Sequence, residues 1–135
     1  NFDFDLIQVP FNVFDTRLID NGLLQALKDK GVEIHIRSVF LQGLLLDFDS
    51  LGGYFSSWEN KFDDYQKMVK DSGFSLLEYA LNFVLNVEEI DKILVGVNNN
   101  KQLIEIVKAS QKKVDNPLLP FSINDINLLN PSLWK

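Results

Sequence analysis

The chain has 135 residues, 46% hydrophobic and 24% charged, a balance that suits one globular domain large enough to bury a core. It has no cysteine and one histidine, His35, which excludes a disulfide framework, a thiolate nucleophile and any thiolate or multi-histidine metal site within one chain. A net charge of −6 and a pI near 4.6, with dispersed lysines and apolar runs well short of a membrane span, argue against nucleic acid and membrane as partners.

No signal-peptide pattern opens the chain. It enters strand-like sequence directly from Asn1, so the expectation is that an upstream part has been removed and that the location is cytoplasmic. Residues 5–12 (DLIQVPFN) read as a short strand of β-formers closing at Pro10. Residues 16–30 place Leu18, Leu23, Leu24 and Leu27 at helical spacing, with Gly31 at the C′ position. In residues 32–40, Val32, Ile34 and Ile36 alternate with Glu33, His35 and Arg37, the pattern of a strand with two unlike faces. Strand, helix and strand in this order make a βαβ unit, which requires a parallel sheet and a right-handed crossover.

After Ser38 the alternation stops and an apolar run containing Gly43 takes over. Such a loop at the carboxyl end of a parallel strand is where α/β proteins place ligands; an ordinary connection is the plainer alternative. Residues 47–58 (DFDSLGGYFSSW) form an irregular loop, either a lid or docking loop or one that packs its aromatics over apolar surface. Glu59–Asp71 is a polar helix, broken at Ser72 and Gly73. Ser75, with Glu78 at the capping-box position, starts a helix that runs through Asn82 or slightly beyond. Its buried face is Leu76, Leu77, Ala80, Leu81, Val84 and Leu85.

Residues 92–97 (KILVGV) are a nearly continuous apolar strand, as expected when both faces are covered. Asn98 or Asn99 caps the next helix, residues 101–113, with Leu103, Ile104, Val107 and Val114 on one side. The tail from residue 115 contains Pro117, Pro120 and Pro131, with a short helical segment at 123–129. Three parallel strands are a poor whole protein, because both sheet edges leave backbone groups unpaired. The charged set Glu33, His35 and Arg37 would also be unwelcome in a small closed core and suits the lumen of a larger barrel.

The segments DLIQVPFN, IRSVFLQGLL, ALNFVL and ILVGVNNNKQLIE, in this order and spacing, resemble the last three βα units of an aldo/keto reductase. The RSVFLQGLLL wording is similar to the branch found in bacterial surface-polysaccharide gene clusters. The resemblance implies an α/β fold, a partial (β/α)8 TIM barrel in which residues 1–135 are the C-terminal half-barrel. It implies an oxidoreductase that binds NADP or NAD across the carboxyl ends of its strands. Residue by residue, Gln8 matches the glutamine at the nicotinamide carboxamide. Arg37 stands where the family commonly has an aromatic ring stacked on the nicotinamide, a departure that brings a positive charge beside that ring. Ser38, Val39, Phe40, Leu41 and Gly43 match the segment that wraps the pyrophosphate. Gly96 and Asn98 match positions beside the adenosine phosphate and ribose, and Gln102 and Glu105 those that hold the adenine end. The family often has asparagine after that glutamate, where this chain has Ile106. Lys101, the nearby cation, is compatible with a 2′-phosphate.

Family catalysis draws an aspartate, tyrosine, lysine and histidine from the first half of the barrel, and none of those motifs occurs in this sequence. No catalytic residue is therefore assigned, and the chain alone is not expected to reduce carbonyls or even necessarily to hold the cofactor. His35 lies mid-strand, below the end where barrel chemistry occurs, and is expected to pair with Glu33 or water. Tyr54, Tyr65 and Tyr79 have no lysine–histidine setting. Two readings follow: the cofactor-binding half of a reductase whose partner is the missing N-terminal half-barrel, or a non-catalytic assembly module forming a homo-oligomer. An independent flavodoxin-like domain would need more strands than these.

Overall fold

The period-2 alternation of residues 32–37 becomes the central strand of a sheet in the computed structural model, which describes residues 3–135. Strands β1 (Leu6–Pro10), β2 (Glu33–Arg37) and β3 (Lys92–Ile93) lie parallel in chain order. Register pairs Gln8 with His35, Pro10 with Arg37 and His35 with Lys92. Successive side chains alternate between faces, so Ile34 and Ile36 are fully buried against the helices while Glu33, His35 and Arg37 share the opposite face. There the Glu33 carboxylate lies 2.6 Å from His35 Nε2 and 3.0 Å from Lys92 Nζ. Hydrogen bonding to His35 first, then to Lys92, holds it below the usual carboxylate range. His35 is thus paired with Glu33.

The helical spacing over residues 16–30 yields two helices, α1 (Arg17–Asp20) and α2 (Leu23–Asp29). Gly22 between them takes a left-handed conformation (φ 71°), and Asn21 Oδ1 accepts the Leu23 N–H at 3.0 Å, so a local turn ends the first helix before α2 begins. Leu24 and Leu27 pack under β2. Helix α3 (Glu59–Asp71) buries Phe62, Tyr65 and Val69, one stripe at helical spacing. Helix α4 (Leu76–Leu85) begins with the expected box: the Glu78 N–H donates to Ser75 Oγ and the Ser75 N–H to Glu78 Oε2. Leu85, expected on its buried face, is exposed.

The core centres on Phe14, which packs edge-on to Tyr65 at 4.9 Å and parallel to Phe62 at 6.3 Å. Each fully buried phenylalanine stabilises by roughly 1.5–3 kcal/mol. Residues 47–58 pack their aromatics over this core: a 3₁₀ turn, Gly53–Trp58, sets Tyr54, Phe55 and Trp58 against one another and Phe55 against Trp134. The tail holds the loop down. Trp58 Nε1 donates to Asp125, Tyr54 OH to the Asn127 carbonyl, and the Phe121 and Ile123 N–H groups bond Val13 and Phe14. Its helix α6 (Ile126–Leu129), capped by Asp125, is shorter than the predicted segment.

The strand expected over residues 92–97 is cut short at the other end of the sheet. Only Lys92 and Ile93 pair with β2, and beyond the Leu94 N–H, which bonds Ile36, the chain leaves the sheet with Leu94 and Val97 exposed. Helix α5 (Asn100–Ser110) packs through Gln102, Ile106 and Ala109, with Asn82 Nδ2 donating to the Ala109 carbonyl. Its apolar residues Leu103, Ile104 and Val107 are 46%, 53% and 47% exposed. No fourth strand follows β3 among the described residues, and these side chains stay uncovered. No described helix is long and apolar enough to cross a membrane.

Candidate functional site

The turn after β2 is where the backbone is most strained. Ser38, Leu41 and Gln42 have φ of 61°, 45° and 55°, and Gly43 follows at 86°. Each side-chain-bearing residue in that region costs about 1–2 kcal/mol. Packing forces the shape: Leu41, Leu44 and Leu45 are buried in the core, and the Leu44 and Leu45 N–H groups bond the Leu41 and Phe40 carbonyls. Buried Asn12 ties the turn to the end of β1. Its Nδ2 donates to the Ser38 carbonyl at 3.1 Å while its Oδ1 accepts from Phe14 and Asp15. The N–H groups of Val39, Phe40 and Gln42 meet no acceptor among the described residues, which leaves them available to a ligand.

This turn forms one wall of a groove of about 800 Å³ at the carboxyl ends of the strands, within the size range of ligand pockets. Gln8 from β1 closes one side, and residues 94–98 with Gln102, Glu105 and Ile106 form the other wall. The groove thus brings together Gln8, Arg37, Ser38, Val39, Phe40, Gly43, Gly96, Asn98, Gln102 and Glu105, all named from the sequence. Leu41 is the correction. Its side chain is in the core and its N–H donates to the Ser38 carbonyl, so neither reaches the groove. Gln42, Leu46 and Leu77 also line it and were not named. Gln42 could have been found from its place beside Gly43 in the turn. Leu77 could not, because α4 reaches the groove only through the packing of the layers.

On the far wall, Asn99 is the helix cap: its Oδ1 accepts the Gln102 N–H at 2.9 Å. The Asn98 N–H donates to Gln102 Oε1 at 2.8 Å. The Asn100 and Lys101 N–H groups have no acceptor among the described residues, as expected of a first turn. Arg37 is the one cation on the lining; it reaches Ser38 Oγ at 3.2 Å and makes no ion pair among the described residues. Glu105 is the one carboxylate. Lys101 lies off the lining, with a side chain 86% exposed and Nζ 3.9 Å from Glu105 Oε1.

The arrangement can bind an elongated polar ligand with an anionic middle. The unpaired N–H groups of the turn and Arg37 suit phosphate oxygens, Asn98, Gln102 and Glu105 suit hydroxyl and amine groups, and Val97 and Ile106 offer apolar surface. His35 and the three tyrosines lie off this lining. Tyr65 is in the core, Tyr79 OH donates to the Leu119 carbonyl, and Tyr54 holds the tail. Among the described residues no group of three or more acidic or histidine side chains could hold a metal.

A family model described as the Aldo/keto reductase family matches residues 1–117. Among solved structures, a thermostable aldo-keto reductase, Tm1743, in complex with the inhibitor epalrestat aligns with a TM-score of 0.59 at 21% identity, covering 82% of this chain and 35% of that one. The apo form of aldo-keto reductase AKR11C1 from Bacillus halodurans aligns with a TM-score of 0.65 at 19% identity, covering 82% and 39%. At these identities the likeness shows the fold: the three-stranded parallel sheet is part of a (β/α)8 barrel. The chain spans well under half the length of either structure. No curated protein matches it.

Proposed function

Because this chain belongs to the aldo/keto reductase family, we propose that it is the cofactor-binding C-terminal half of a cytoplasmic NAD(P)H-dependent oxidoreductase. One observation carries this reading: residues from the end of β1, the strained turn after β2 and the start of α5 line a single groove at the carboxyl ends of parallel strands, where barrel enzymes bind ligands. A nicotinamide dinucleotide fits the donor set. The Val39, Phe40 and Gln42 N–H groups and Arg37 hold the two phosphates, Gln8 orients the carboxamide, and Asn98, Gln102 and Glu105 hold the adenosine. Gly96 lets the ligand approach the backbone. The cofactor, when bound, supplies the hydride; this chain binds and orients it, and the proton donor comes from the upstream half of the barrel. Titrating the chain with NADH and NADPH by calorimetry tests the reading. Saturable one-to-one binding is expected, and a folded chain that binds neither at millimolar concentration overturns it.

The assembly reading has its own observation, the exposed row Leu103, Ile104 and Val107 beside the unpaired far edge of β3. The family barrel has eight strands, and copies of a three-stranded piece supply six or nine. Strand arithmetic therefore favours an upstream five-unit half as the partner over a homo-oligomer. Light scattering distinguishes the two: a stable homodimer indifferent to the added upstream half favours the assembly module. A one-to-one complex that regains aldehyde-dependent NADPH oxidation favours the divided enzyme.

A further inference from the structure

We infer that Asn12, which lies off the groove lining, is the positioning residue of the groove. By holding the Ser38 carbonyl it keeps the Ser38–Val39 peptide turned so that the Val39 N–H can bond a ligand phosphate. The inference rests on the dinucleotide reading above and deepens it. Asn12 is 1% exposed, and a buried amide needs partners for both of its ends. Its Oδ1 accepts the Phe14 and Asp15 N–H groups, each at 3.0 Å, and its own N–H donates to the Asp15 carbonyl at 3.3 Å. These bonds close the loop after β1 on itself. Two N–H donors require an oxygen, so the Nδ2 end is the one turned to Ser38, whose carbonyl it reaches at 3.1 Å across 26 residues of chain. The tail fixes the same loop from elsewhere, the Phe121 and Ile123 N–H groups bonding the Val13 and Phe14 carbonyls.

The long-range bond matters through one peptide. Ser38 has φ 61°, a left-handed conformation that a residue with a side chain keeps only where its surroundings hold it. Its carbonyl accepts twice, from Asn12 Nδ2 and from the Leu41 N–H at 3.0 Å. A trans peptide is planar, with its C=O and N–H directed oppositely, so a carbonyl held toward Asn12 turns the Val39 N–H away from it. That N–H meets no acceptor among the described residues. Val39 packs in the core and still lines the groove, so its backbone is what it offers a ligand. The Leu41 bond lies within the turn and moves with it. Asn12 instead ties the peptide to the end of β1, the strand that carries Gln8 onto the same groove.

Titration of the isotope-labelled 135-residue chain with NAD⁺ and NADP⁺, followed by calorimetry and backbone amide spectra, tests this. In the unaltered chain the Val39 amide signal is expected to move as the site fills. Asn12→Ser adds no charge and keeps an oxygen for the local N–H groups, but its side chain is too short to reach the Ser38 carbonyl. It is expected to weaken dinucleotide binding at least about tenfold, the worth of one hydrogen bond to a charged group, and to abolish the Val39 shift. Tyr79→Phe, which removes a buried hydrogen bond off the lining, leaves affinity within about twofold. Binding to the unaltered chain without movement of the Val39 signal overturns the inference, needs no folded variant and leaves the dinucleotide reading standing. Undiminished affinity in folded Asn12→Ser does the same, as does an equal loss in Tyr79→Phe, which would trace the effect to stability. Failure of the unaltered chain to bind either dinucleotide overturns the reading itself and the inference with it.

Discussion

Replacing Tyr65 by phenylalanine should stabilise this protein. The side chain is completely buried and its hydroxyl has no hydrogen-bond partner among the described residues. A buried polar group left unpaired costs about 1–3 kcal/mol. The ring itself is used fully, edge-on to Phe14 at 4.9 Å and packed against Tyr79 and Phe121 at 6.1 and 5.5 Å, and phenylalanine keeps those contacts. A gain of about 1 kcal/mol follows once some relaxation around the hydroxyl is allowed, or roughly 3–5 °C in Tm for a domain of this size. Tyr79 provides the control. It is equally buried, but its hydroxyl donates to the Leu119 carbonyl at 2.9 Å, so Tyr79→Phe loses about 1 kcal/mol by removing that bond. Burial pushes both phenols up in the folded state. The unfolded chain therefore loses those protons first, and stability falls as pH rises above about 10, with a slope of up to about 1.4 kcal/mol per pH unit from Tyr65. Tyr65→Phe should flatten this alkaline limb. Urea denaturation at pH 7 and across pH 9–11 reads both effects. Destabilisation by Tyr65→Phe equal to that of Tyr79→Phe, or an unchanged alkaline limb, would refute the assignment of an unpaired hydroxyl.

The strained turn gives a pair of opposite signs in thermal denaturation. Gly43→Ala, at φ 86° with open space around the added methyl, should cost about 1–2 kcal/mol. Gln42→Gly, at φ 55°, should gain about 0.5–1 kcal/mol, strain relief exceeding the added backbone entropy. Ser75→Ala removes the oxygen that accepts the Glu78 N–H and should lower stability by about 1 kcal/mol, read from the urea midpoint at constant slope. Asp91 is held below the usual carboxylate range by the Ile34 N–H first and by Lys28 second. Its contribution is present above the unfolded pKa near 4 and lost as pH falls below it, so the urea midpoint of Asp91→Asn should depend less on pH between about 4 and 2.

Much of the fold was legible because it rests on local periodicity. The alternation from Val32 to Arg37 and the buried Ile34 and Ile36 required no knowledge of neighbours. The Ser75–Glu78 box could be read from four consecutive residues, while the groove-lining positions came from the resemblance to a known family and not from periodicity. What failed depended on partners far along the chain. The apolar run 92–97 predicts a longer strand, but a strand extends only as far as another chain pairs with it, and β2 pairs only Lys92 and Ile93. The sequence places Leu103, Ile104 and Val107 on one side of α5; only the packing, with Asn82 bonded to the Ala109 carbonyl, shows that this side is exposed.

By itself the sequence determined the parallel βαβ order, the capped helices and the polar face of β2, because each follows from spacing along one segment; the positions on the groove came from the family resemblance. Only the tertiary structure decided that Leu41 turns into the core while its neighbours turn out. There the buried leucines and Asn12 force a left-handed backbone that periodicity does not encode. It also brought Arg37 and Glu105 onto one groove and left Lys101 off its lining. Residues far apart in the chain come to line one groove only when the sheet and α5 hold them in space.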